Sequence, residues 1–316
     1  MLSRVAERMY WFGRYLERAE STARLLNVNS NLMLDLPIAV NKYIWASLIE
    51  ISGSTELFFE RHDKADEKMV IGFILADSTN PGSLLNTVKM IRENMRTTRE
   101  IMPSEVWEQV NEFYLYVKKH LKKNISRSSK NKILDDVMDF CHQTTGFLQG
   151  NMSHGQAYNF VRIGRNLERA DMTTRILDVG CMDLYTQKKD IPESYYNIMW
   201  MNVLRSLSAY QMYRQHVLDK VNGKDVTNFL IDDEEFPRAV AHCLAELNYC
   251  VNKLSNNDMV LRSITRVQRV INEMDAAKIF NNDLHEFIDQ LQIDLADTHE
   301  QVSQTWFRYT AEEIKK

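Results

Sequence analysis

Two segments of the chain carry carboxylates and arginines at the spacing of one helix face. In the first segment Glu17, Glu20 and Arg24 follow Gly13 at intervals of four, three and four residues, and positions so spaced form a single stripe. A glutamate there can act as a general base, and an arginine beside it can stabilise developing negative charge. The same residue types can also form ion pairs between residues i and i+4 of one helix.

A second segment repeats this stripe. Residues 161–179 match residues 10–28 at an offset of 151, with ten identities in nineteen positions. Self-similarity on this scale indicates a repeated structural unit. We therefore predict two homologous halves, 1–150 and 151–316, that form one compact unit. The repeated stripe consists of Gly164, Glu168, Asp171 and Arg175.

The similarity continues, more weakly, beyond these segments. Trp45 and Trp200 lie in comparable apolar stretches, and residues 70–83 match residues 226–239 with Pro81 opposite Pro237. The offset drifts from 151 to 156, which requires only a few inserted loop residues. We call residues counterparts when this alignment, or the same offsets extended to neighbouring positions, pairs them.

A low content of glycine and proline predicts long helices. Ten Gly and five Pro among 316 residues leave few turns, and apolar residues recur with the period of a helix. The predicted fold is an all-α, internally duplicated helical bundle with two pseudo-symmetric halves of about five helices each. Asn80 before Pro81 has the form of a helix N-cap. The predicted helices are 2–34, 38–60, 81–101, 104–122, 131–150, 153–186, 194–221, 236–254, 257–279 and 283–313.

The glycine in each stripe predicts a close contact of its helix. A glycine inside a helix costs about 1 kcal/mol relative to alanine, so it indicates that another helix or a ligand passes nearby. If a pseudo-twofold axis relates the halves, the two stripes face each other and their four carboxylates converge with Arg24 and Arg175. Arg14 and Arg18 lie further around the helix, towards solvent or a neighbouring element. The apolar face, which must pack on the core, consists of Phe12, Leu16, Ala19, Ala23 and Leu26.

Three interpretations of the stripes stay open: an ion-pair network between the halves, a pocket for a small charged ligand or partner, and a metal site. Helical-bundle metal sites pair a glutamate with a histidine at i+3, but neither segment has a histidine, and the arginines would repel a cation. In an enzyme, Glu17 or Glu168 would be the general base. The binding candidates on the two helices are Arg14, Glu20, Arg24, Arg165, Asp171 and Arg175.

A row of basic residues in the first half is a second candidate site. Lys89, Arg92, Arg96 and Arg99 fall at i, i+3, i+7 and i+10, whereas their counterparts are neutral. Because one copy of a duplicated unit can specialise, Arg92, Arg96 and Arg99 are candidates for binding a carboxylate or phosphate through bidentate hydrogen bonds. A solvated helix face is the alternative. An ordinary amphipathic basic stripe in the second half consists of Arg262, Arg266 and Arg269.

Composition and missing motifs exclude several classes of function. The chain has no Gly-rich phosphate loop, G-x-S-x-G, H-E-x-x-H or C-x-x-C motif, so we expect no cofactor and no metal. A net charge of −4 gives no electrostatic reason for nucleic-acid binding. We expect no membrane span and no signal peptide. The four cysteines, Cys141, Cys181, Cys243 and Cys250, form no C-x-x-C pair. They fit a reducing compartment, which predicts a cytoplasmic location.

These motifs resemble the bacterial alpha-E domain family. The resemblance covers nearly the whole chain and lies in the doubled G-R-x-L-E-R-A signature at 13–19 and 164–170, the opening LSRVAERMYW and the later NPGS and IRENMR segments. The family consists of helical proteins of poorly defined activity. They are typically encoded beside a circularly permuted ATP-grasp protein and often a transglutaminase-like cysteine peptidase. ATP-grasp enzymes activate a carboxylate as an acyl phosphate and transfer it to an amine.

The resemblance therefore implies a companion subunit of an ATP-dependent system that forms amide or peptide bonds. In that role the chain docks the ATP-grasp ligase and helps to position substrate; the transglutaminase-like peptidase is a second expected partner. One alternative is an enzyme that transfers acyl or amine groups in a carboxylate–arginine pocket between the halves. Another is a helical interaction scaffold. The sequence leaves open the substrate and the choice between a monomer and a homo-oligomer.

Overall fold

The protein is all-α. The computed structural model describes residues 1–33, 38–121, 125–186, 193–275, 279–280 and 284–308, and it describes side chains at these positions except 38–43, 181–186 and 193–195. Within these ranges there are fourteen helices and no β-strand. They are α1 (Ser3–Leu32), α2 (Ile38–Ile51), α3 (Thr55–Phe59), α4 (Glu67–Ala76), α5 (Leu84–Arg96), α6 (Ser104–His120), α7 (Arg127–Asn151), α8 (Gln156–Thr186), α9 (Glu193–Ser206), α10 (Tyr210–His216), α11 (Gly223–Asp232), α12 (Val240–Val251), α13 (Asp258–Asn272) and α14 (Leu284–Trp306).

The prediction of about five helices in each half is wrong, because the described residues form seven up to Asn151 and seven after it. Helices α4 and α11 were not predicted. Each is ten residues long, too short for its apolar period to stand out. Each begins where a side chain accepts a hydrogen bond from the backbone N–H three residues on, at the counterparts Asp66 and Asn222, which is the usual N-cap arrangement.

Two predicted helices, 38–60 and 194–221, are each interrupted. The breaks follow α2 and α9 at Gly53 and Ser208, counterparts that both have positive φ, 65° and 53°, a conformation that a helix does not continue through. None of the described helices is both long and apolar enough to cross a membrane. Parts of the predicted helices lie outside the described residues, namely 34, 122, 276–278, 283 and 309–313, as does the side chain of Cys181.

The predicted start of a helix at Pro81 is also wrong. Helix α5 begins at Leu84, because the hydroxyl of Ser83 accepts a hydrogen bond from the backbone N–H of Asn86. The side chain of Asn80 instead accepts from the N–H of Gly82 and donates to the carbonyl of Phe73. Helix α12 likewise begins three residues after Pro237. The result is a short non-helical turn before each of these helices, and both turns lie at the site described below.

Helices α1 and α8 pack along each other and form the centre of the molecule. Helices α5 and α7 cover α1, and α12 and α14 cover α8. The second helix of each half reaches across: α2 packs on α8, and α9 packs on α1. The apolar face predicted for α1 is confirmed, since its five residues are at most 1% exposed. Burying each leucine or phenylalanine of this kind contributes about 2 kcal/mol.

The close contact predicted from the two glycines is confirmed. A Cβ atom added to Gly13 would lie 2.1 Å from the carbonyl oxygen of Val161, and one added to Gly164 would lie 2.0 Å from that of Tyr10. These contacts are reciprocal, because Tyr10 and Val161 are counterparts. Only glycine permits two helix backbones to approach this closely. The crossing fixes which side chains of α1 and α8 meet, and those side chains include most of the charged candidates.

Candidate functional site: the ion pairs and cavity at the helix crossing

A glutamate on each of the two helices forms an ion pair with an arginine on the other helix. Nε of Arg18 lies 2.5 Å from Oε1 of Glu168, and Nη2 of Arg169 lies 2.7 Å from Oε2 of Glu17. These two pairs are again counterparts, so the Glu-Arg dipeptide of each repeated segment pairs with the dipeptide of the other. The sequence predicted that carboxylates meet at the crossing, but it placed Arg18 away from them. The glycine contact brings the backbones close enough for Arg18 to reach across.

The glutamate of α8 binds two arginines of α1. Besides Arg18, Arg14 places its Nε 2.6 Å from Oε2 of Glu168, and Arg14 also donates to the hydroxyl oxygen of Tyr10. Glu168 is 1% exposed. Burial raises the pKa of its carboxyl group, but the attraction of Arg14 and Arg18 outweighs burial and lowers that pKa to about 2. Glu168 is therefore a charged partner in a closed pair.

The carboxylates of α1 are bridged by an arginine that the sequence interpretation missed. Arg238, in the turn before α12, places Nη1 2.6 Å from Oε1 of Glu17 and Nη2 2.5 Å from Oε1 of Glu20. Glu20 also accepts from Arg24, at 2.5 Å, as predicted for an i,i+4 pair, and lies 3.0 Å from Nε2 of His142. Burial raises the pKa of Glu17 and Glu20, and the surrounding arginines, with the His142 hydrogen bond at Glu20, bring both below the usual range.

The geometry does not favour Glu17 and Glu168 as general bases. A glutamate that removes a proton near neutral pH needs access to substrate and a raised pKa. Glu17 is 0% exposed and Glu168 is 1% exposed, and two arginines saturate each of them. Both pKa values are lowered. Neither glutamate has the exposure or the raised pKa that a general base for acyl or amine transfer requires.

The four carboxylates do not converge on one pocket. Glu17 and Glu20 form one cluster with Arg24, Arg169 and Arg238, which we call the Arg238 side. Glu168 and Asp171 form the other with Arg14, Arg18 and Arg175, which we call the Gly82 side. Among the described residues no hydrogen bond joins the two clusters. The helices cross between them, which separates the clusters.

A cavity of about 190 Å³ opens on the Gly82 side. Its polar wall includes Arg18, Gly53, Gly82, Glu168, Asp171 and Arg175. Nε of Arg175 is 2.9 Å from Oδ2 of Asp171, so the predicted i,i+4 pair is present, with Arg175 34% exposed. Oδ1 of Asp171 accepts no hydrogen bond from the described residues. The apolar wall of the cavity includes Leu25, Leu48 and Ile74.

On the Arg238 side the described residues line a groove that is more open than this cavity. The Arg238 side chain is 10% exposed, and its backbone carbonyl accepts a hydrogen bond from Thr173. The groove, of about 360 Å³, lies outside it and is lined by Glu20, His142, Arg169 and Ser208 among others. Arg165 is mostly buried near this cluster, and its Nε has no hydrogen-bond partner within the described part of the chain.

The arginine row on α5 is not one surface. The helix ends at Arg96, so Arg99 lies in the turn that follows. Arg92 is half-buried: its Nε donates to Asn111, its guanidinium pairs with Glu93, and its Cζ lies 5.1 Å from the ring centroid of Tyr114. Arg96 pairs with Glu93 and is 53% exposed, and Arg99 is exposed. Arg92 is thus a packing residue, while Arg96 and Arg99 face solvent.

Arg238 could have been found from the sequence. The alignment of 70–83 with 226–239 pairs it with Gly82. A charged residue in one segment where the other has a glycine is a difference that marks Arg238 as a candidate. His142 had no such signal, because only the packing of α7 on α1 brings it to Glu20. Among the described residues no group of three or more His, Cys, Asp or Glu side chains is placed to hold a metal ion.

Residues 1–307 match the model of the Alpha-E family, described as a predicted alpha-helical domain with a conserved ER motif. The chain belongs to the Alpha-E family. The Glu-Arg pairs at 17–18 and 168–169 fit that description, and in this Alpha-E protein they are the residues that join the two central helices.

Two relatives of this Alpha-E protein are uncharacterized proteins of Mycobacterium bovis and Mycobacterium tuberculosis. Each is 22% identical over 295 residues, which covers 86% of this chain and 32% of the relative. The chain therefore spans about a third of the length of these curated relatives. No solved structure matches the chain.

Proposed function

We propose that this Alpha-E protein is a companion subunit of an ATP-grasp-type ligase that forms amide or peptide bonds, which it docks and whose substrate it helps to position. The observation that carries the proposal is the length of its relatives. The match covers 32% of the mycobacterial chain, so in that protein the Alpha-E region is joined to further polypeptide of about twice its length. A region with this organisation is suited to act beside another domain. The family resemblance supplies the class of partner.

We also propose that the chain arose by duplication of a unit of about 150 residues. The repeated segments at 10–28 and 161–179 suggest it, and reciprocal contacts support it. Gly13 meets Val161 as Gly164 meets Tyr10, and α2 packs on α8 as α9 packs on α1. A duplicated unit whose second helices cross over in this way gives a rigid body, because neither half can move without breaking contacts of the other.

The ion-pair clusters support a positioning role over catalysis by this chain. Their glutamates are saturated by arginines and have lowered pKa values. Buried pairs of this kind fix the register of two helices more than they add stability. The companion function then depends on the outer surface, where a partner can dock, and on the shape of the cavity on the Gly82 side.

Arg96 and Arg99 are the proposed docking contacts on that surface. Both are exposed, and both belong to the half whose basic row has no counterpart. Exposed arginines bind carboxylates through paired hydrogen bonds, which suits either an acidic patch of the ligase or its carboxylate substrate. Arg92 has a different role, because Asn111 and two aromatic rings hold it in place.

Co-purification with the ATP-grasp protein of the native host, followed by an ATP-turnover assay with added amines, tests the proposal. We expect a stable complex and faster ATP turnover when this chain is present. The variant R96E/R99E should weaken the complex at least about tenfold. R262E/R269E, which makes the same charge change at exposed positions of α13, is the matched control and should leave the complex intact.

The outcomes separate the hypotheses. If the two proteins do not associate and ATP turnover is unchanged, the companion function is wrong. Repeated recovery of other, unrelated partners from the native host would favour a general interaction scaffold instead. Equal weakening by R96E/R99E and R262E/R269E would retain the partnership and refute the docking contacts.

A further inference from the structure

We infer that the cavity on the Gly82 side is a binding site for a small ligand that carries a guanidinium group on an aliphatic stem. The ligand takes the place that Arg238 fills on the other side of the crossing. The inference rests on the proposed duplication, which makes the two sides comparable, and does not depend on the ATP-grasp partnership.

The residues around the cavity and around Arg238 correspond position by position. Glu168 and Asp171 are the counterparts of Glu17 and Glu20, the two carboxylates that Arg238 bridges. Gly82 is the counterpart of Arg238 itself. The turns beside them also correspond, since Gly53 and Ser208 both have positive φ and line the cavity and the groove respectively.

The Gly82 side has one arginine fewer than the Arg238 side once Arg165, which is buried near Glu17, is counted with the Arg238 side. The arginines of the Gly82 side, Arg14, Arg18 and Arg175, are the counterparts of Arg165, Arg169 and Arg24. Two carboxylates accompany each set, so Arg238 is the only charged member of its cluster without a counterpart. The Arg238 side shows that this arrangement accommodates a fourth guanidinium, at hydrogen-bond distances of 2.5–2.6 Å.

The cavity offers an acceptor and room for the ligand. Oδ1 of Asp171 is free of hydrogen bonds from the described residues, and the Asp171 side chain is one methylene shorter than that of Glu20, which enlarges the space. A volume of about 190 Å³ exceeds the roughly 150 Å³ of a cavity that holds benzene. The apolar wall includes Leu25, Leu48 and Ile74, against which an aliphatic stem can pack while its charged end meets Asp171.

A substitution at Gly82 tests directly whether the ligand binds in the cavity. Its φ lies outside the left-handed region, and an added Cβ would meet only Asn80 and Ser54 side-chain atoms at 3.4 and 3.8 Å, which are ordinary contacts. Gly82→Arg should therefore fold and place its own guanidinium in the cavity, as Arg238 does on the other side. It fills the site from within the chain and should prevent binding. Gly82→Ala leaves the cavity open and is the matched control.

The experiment is calorimetric titration of the full chain with L-arginine, with L-citrulline as its neutral isostere and with agmatine, which lacks the carboxylate. We expect L-arginine and agmatine to bind, and L-citrulline to bind at least about tenfold more weakly, because charge-assisted hydrogen bonds are about twice as strong as neutral ones. Gly82→Arg should abolish binding and Gly82→Ala should keep it. Asp171→Asn should weaken L-arginine binding about tenfold. If Gly82→Arg fails to fold, this second variant tests whether the ligand binds in the cavity.

Several results would overturn the inference. They are the absence of binding by all three compounds at millimolar concentration, equal binding of arginine and citrulline, and binding that survives in folded Gly82→Arg. Binding of L-arginine without agmatine would show that Arg18 and Arg175 recognise a carboxylate, and would also overturn it. Because the titration uses the chain alone, failure here is distinguishable from failure to associate with the ligase.

Discussion

The two sides of the α1–α8 crossing contain nearly the same charged residues but differ in what completes them. On the Arg238 side a guanidinium from the turn before α12 bridges Glu17 and Glu20. On the Gly82 side the matching turn supplies a glycine, and a cavity lies beside Glu168 and Asp171. The comparison teaches that one residue in a turn, outside the repeated motif, decides whether such a cluster is closed or open to a ligand.

The largest effect should come from removing the glycines that allow the crossing. Gly13→Ala and Gly164→Ala each place a Cβ within 2.1 Å of a backbone carbonyl oxygen, so the helices must separate. We expect each variant to lower the free energy of unfolding by about 3 kcal/mol or more, measured by chemical denaturation.

Gly146→Ala is the control, because this exposed glycine of α7 has no atom within 4 Å of an added Cβ. It should stabilise the protein by roughly 0.5–1 kcal/mol through helix propensity. The reciprocal contact also predicts that Gly13→Ala and Gly164→Ala cost similar amounts. A difference of several kcal/mol between them would contradict an equivalent role for the two halves at the crossing.

Replacing Arg238 should lower the free energy of unfolding strongly, whereas replacing Arg175 on the Gly82 side should lower it little. Arg238→Met leaves Glu17 and Glu20 buried with one bridging partner fewer, and breaking a buried pair costs about 3–5 kcal/mol. Because Arg169, Arg24 and His142 remain, we expect a loss of about 3 kcal/mol in the free energy of unfolding. Arg175→Met removes a partly exposed pair and should cost less than about 1 kcal/mol.

Thermal and denaturant unfolding of Arg238→Met and Arg175→Met side by side measures this contrast. If the two variants lose equal stability, the distinction between a closed and an open side is wrong. Arg238→Gly extends the comparison, since it should create a second cavity and gain the L-arginine binding that we expect on the Gly82 side.

Acid should destabilise the protein through Glu168. A carboxyl group whose pKa is lowered by folding, here from 4.5 to about 2, stabilises the folded state above pH 4.5 and loses that contribution as pH falls towards 2. One pKa unit corresponds to about 1.4 kcal/mol, so about 2 kcal/mol of this contribution should be lost between pH 6 and pH 3.

The measurement is the free energy of unfolding as a function of pH for the native chain and for Glu168→Gln. The variant lacks this titrating group, so its pH dependence between 6 and 3 should be shallower by about 2 kcal/mol. Identical slopes would mean that Arg14 and Arg18 do not stabilise the Glu168 carboxylate as the distances indicate.

The smallest effect on stability should come from the exposed arginines near the end of α5. R96E/R99E should change the free energy of unfolding by no more than about 0.5 kcal/mol, as expected for surface substitutions, while it weakens the complex with the ligase. Arg92→Ala should cost more than R96E/R99E, because Arg92 packs on Trp107 and Tyr114. A large loss of stability in R96E/R99E would show that these residues are structural.

The sequence predicted the site better where a pattern was local. The glycine contact, the apolar face of α1 and the i,i+4 pairs Glu20–Arg24 and Asp171–Arg175 depend on positions within one helix, and all are present. The predicted helix count was too low and the start of α5 was placed too early, because short capped helices and turns depend on single hydrogen bonds such as that of Ser83. Arg18 was placed away from the carboxylates because its partner lies on another helix.

The amino-acid sequence by itself determined the all-α class, the repeated segments, the family and the two helices that carry the charged residues. Only the tertiary structure decided which charges pair, because the backbone approach at Gly13 and Gly164 sets how far each side chain of one helix reaches along the other. It also decided that Glu17 and Glu168 are buried and paired with arginines. The cavity likewise follows from where the turns before α5 and α12 come to lie, which no periodicity within a helix encodes.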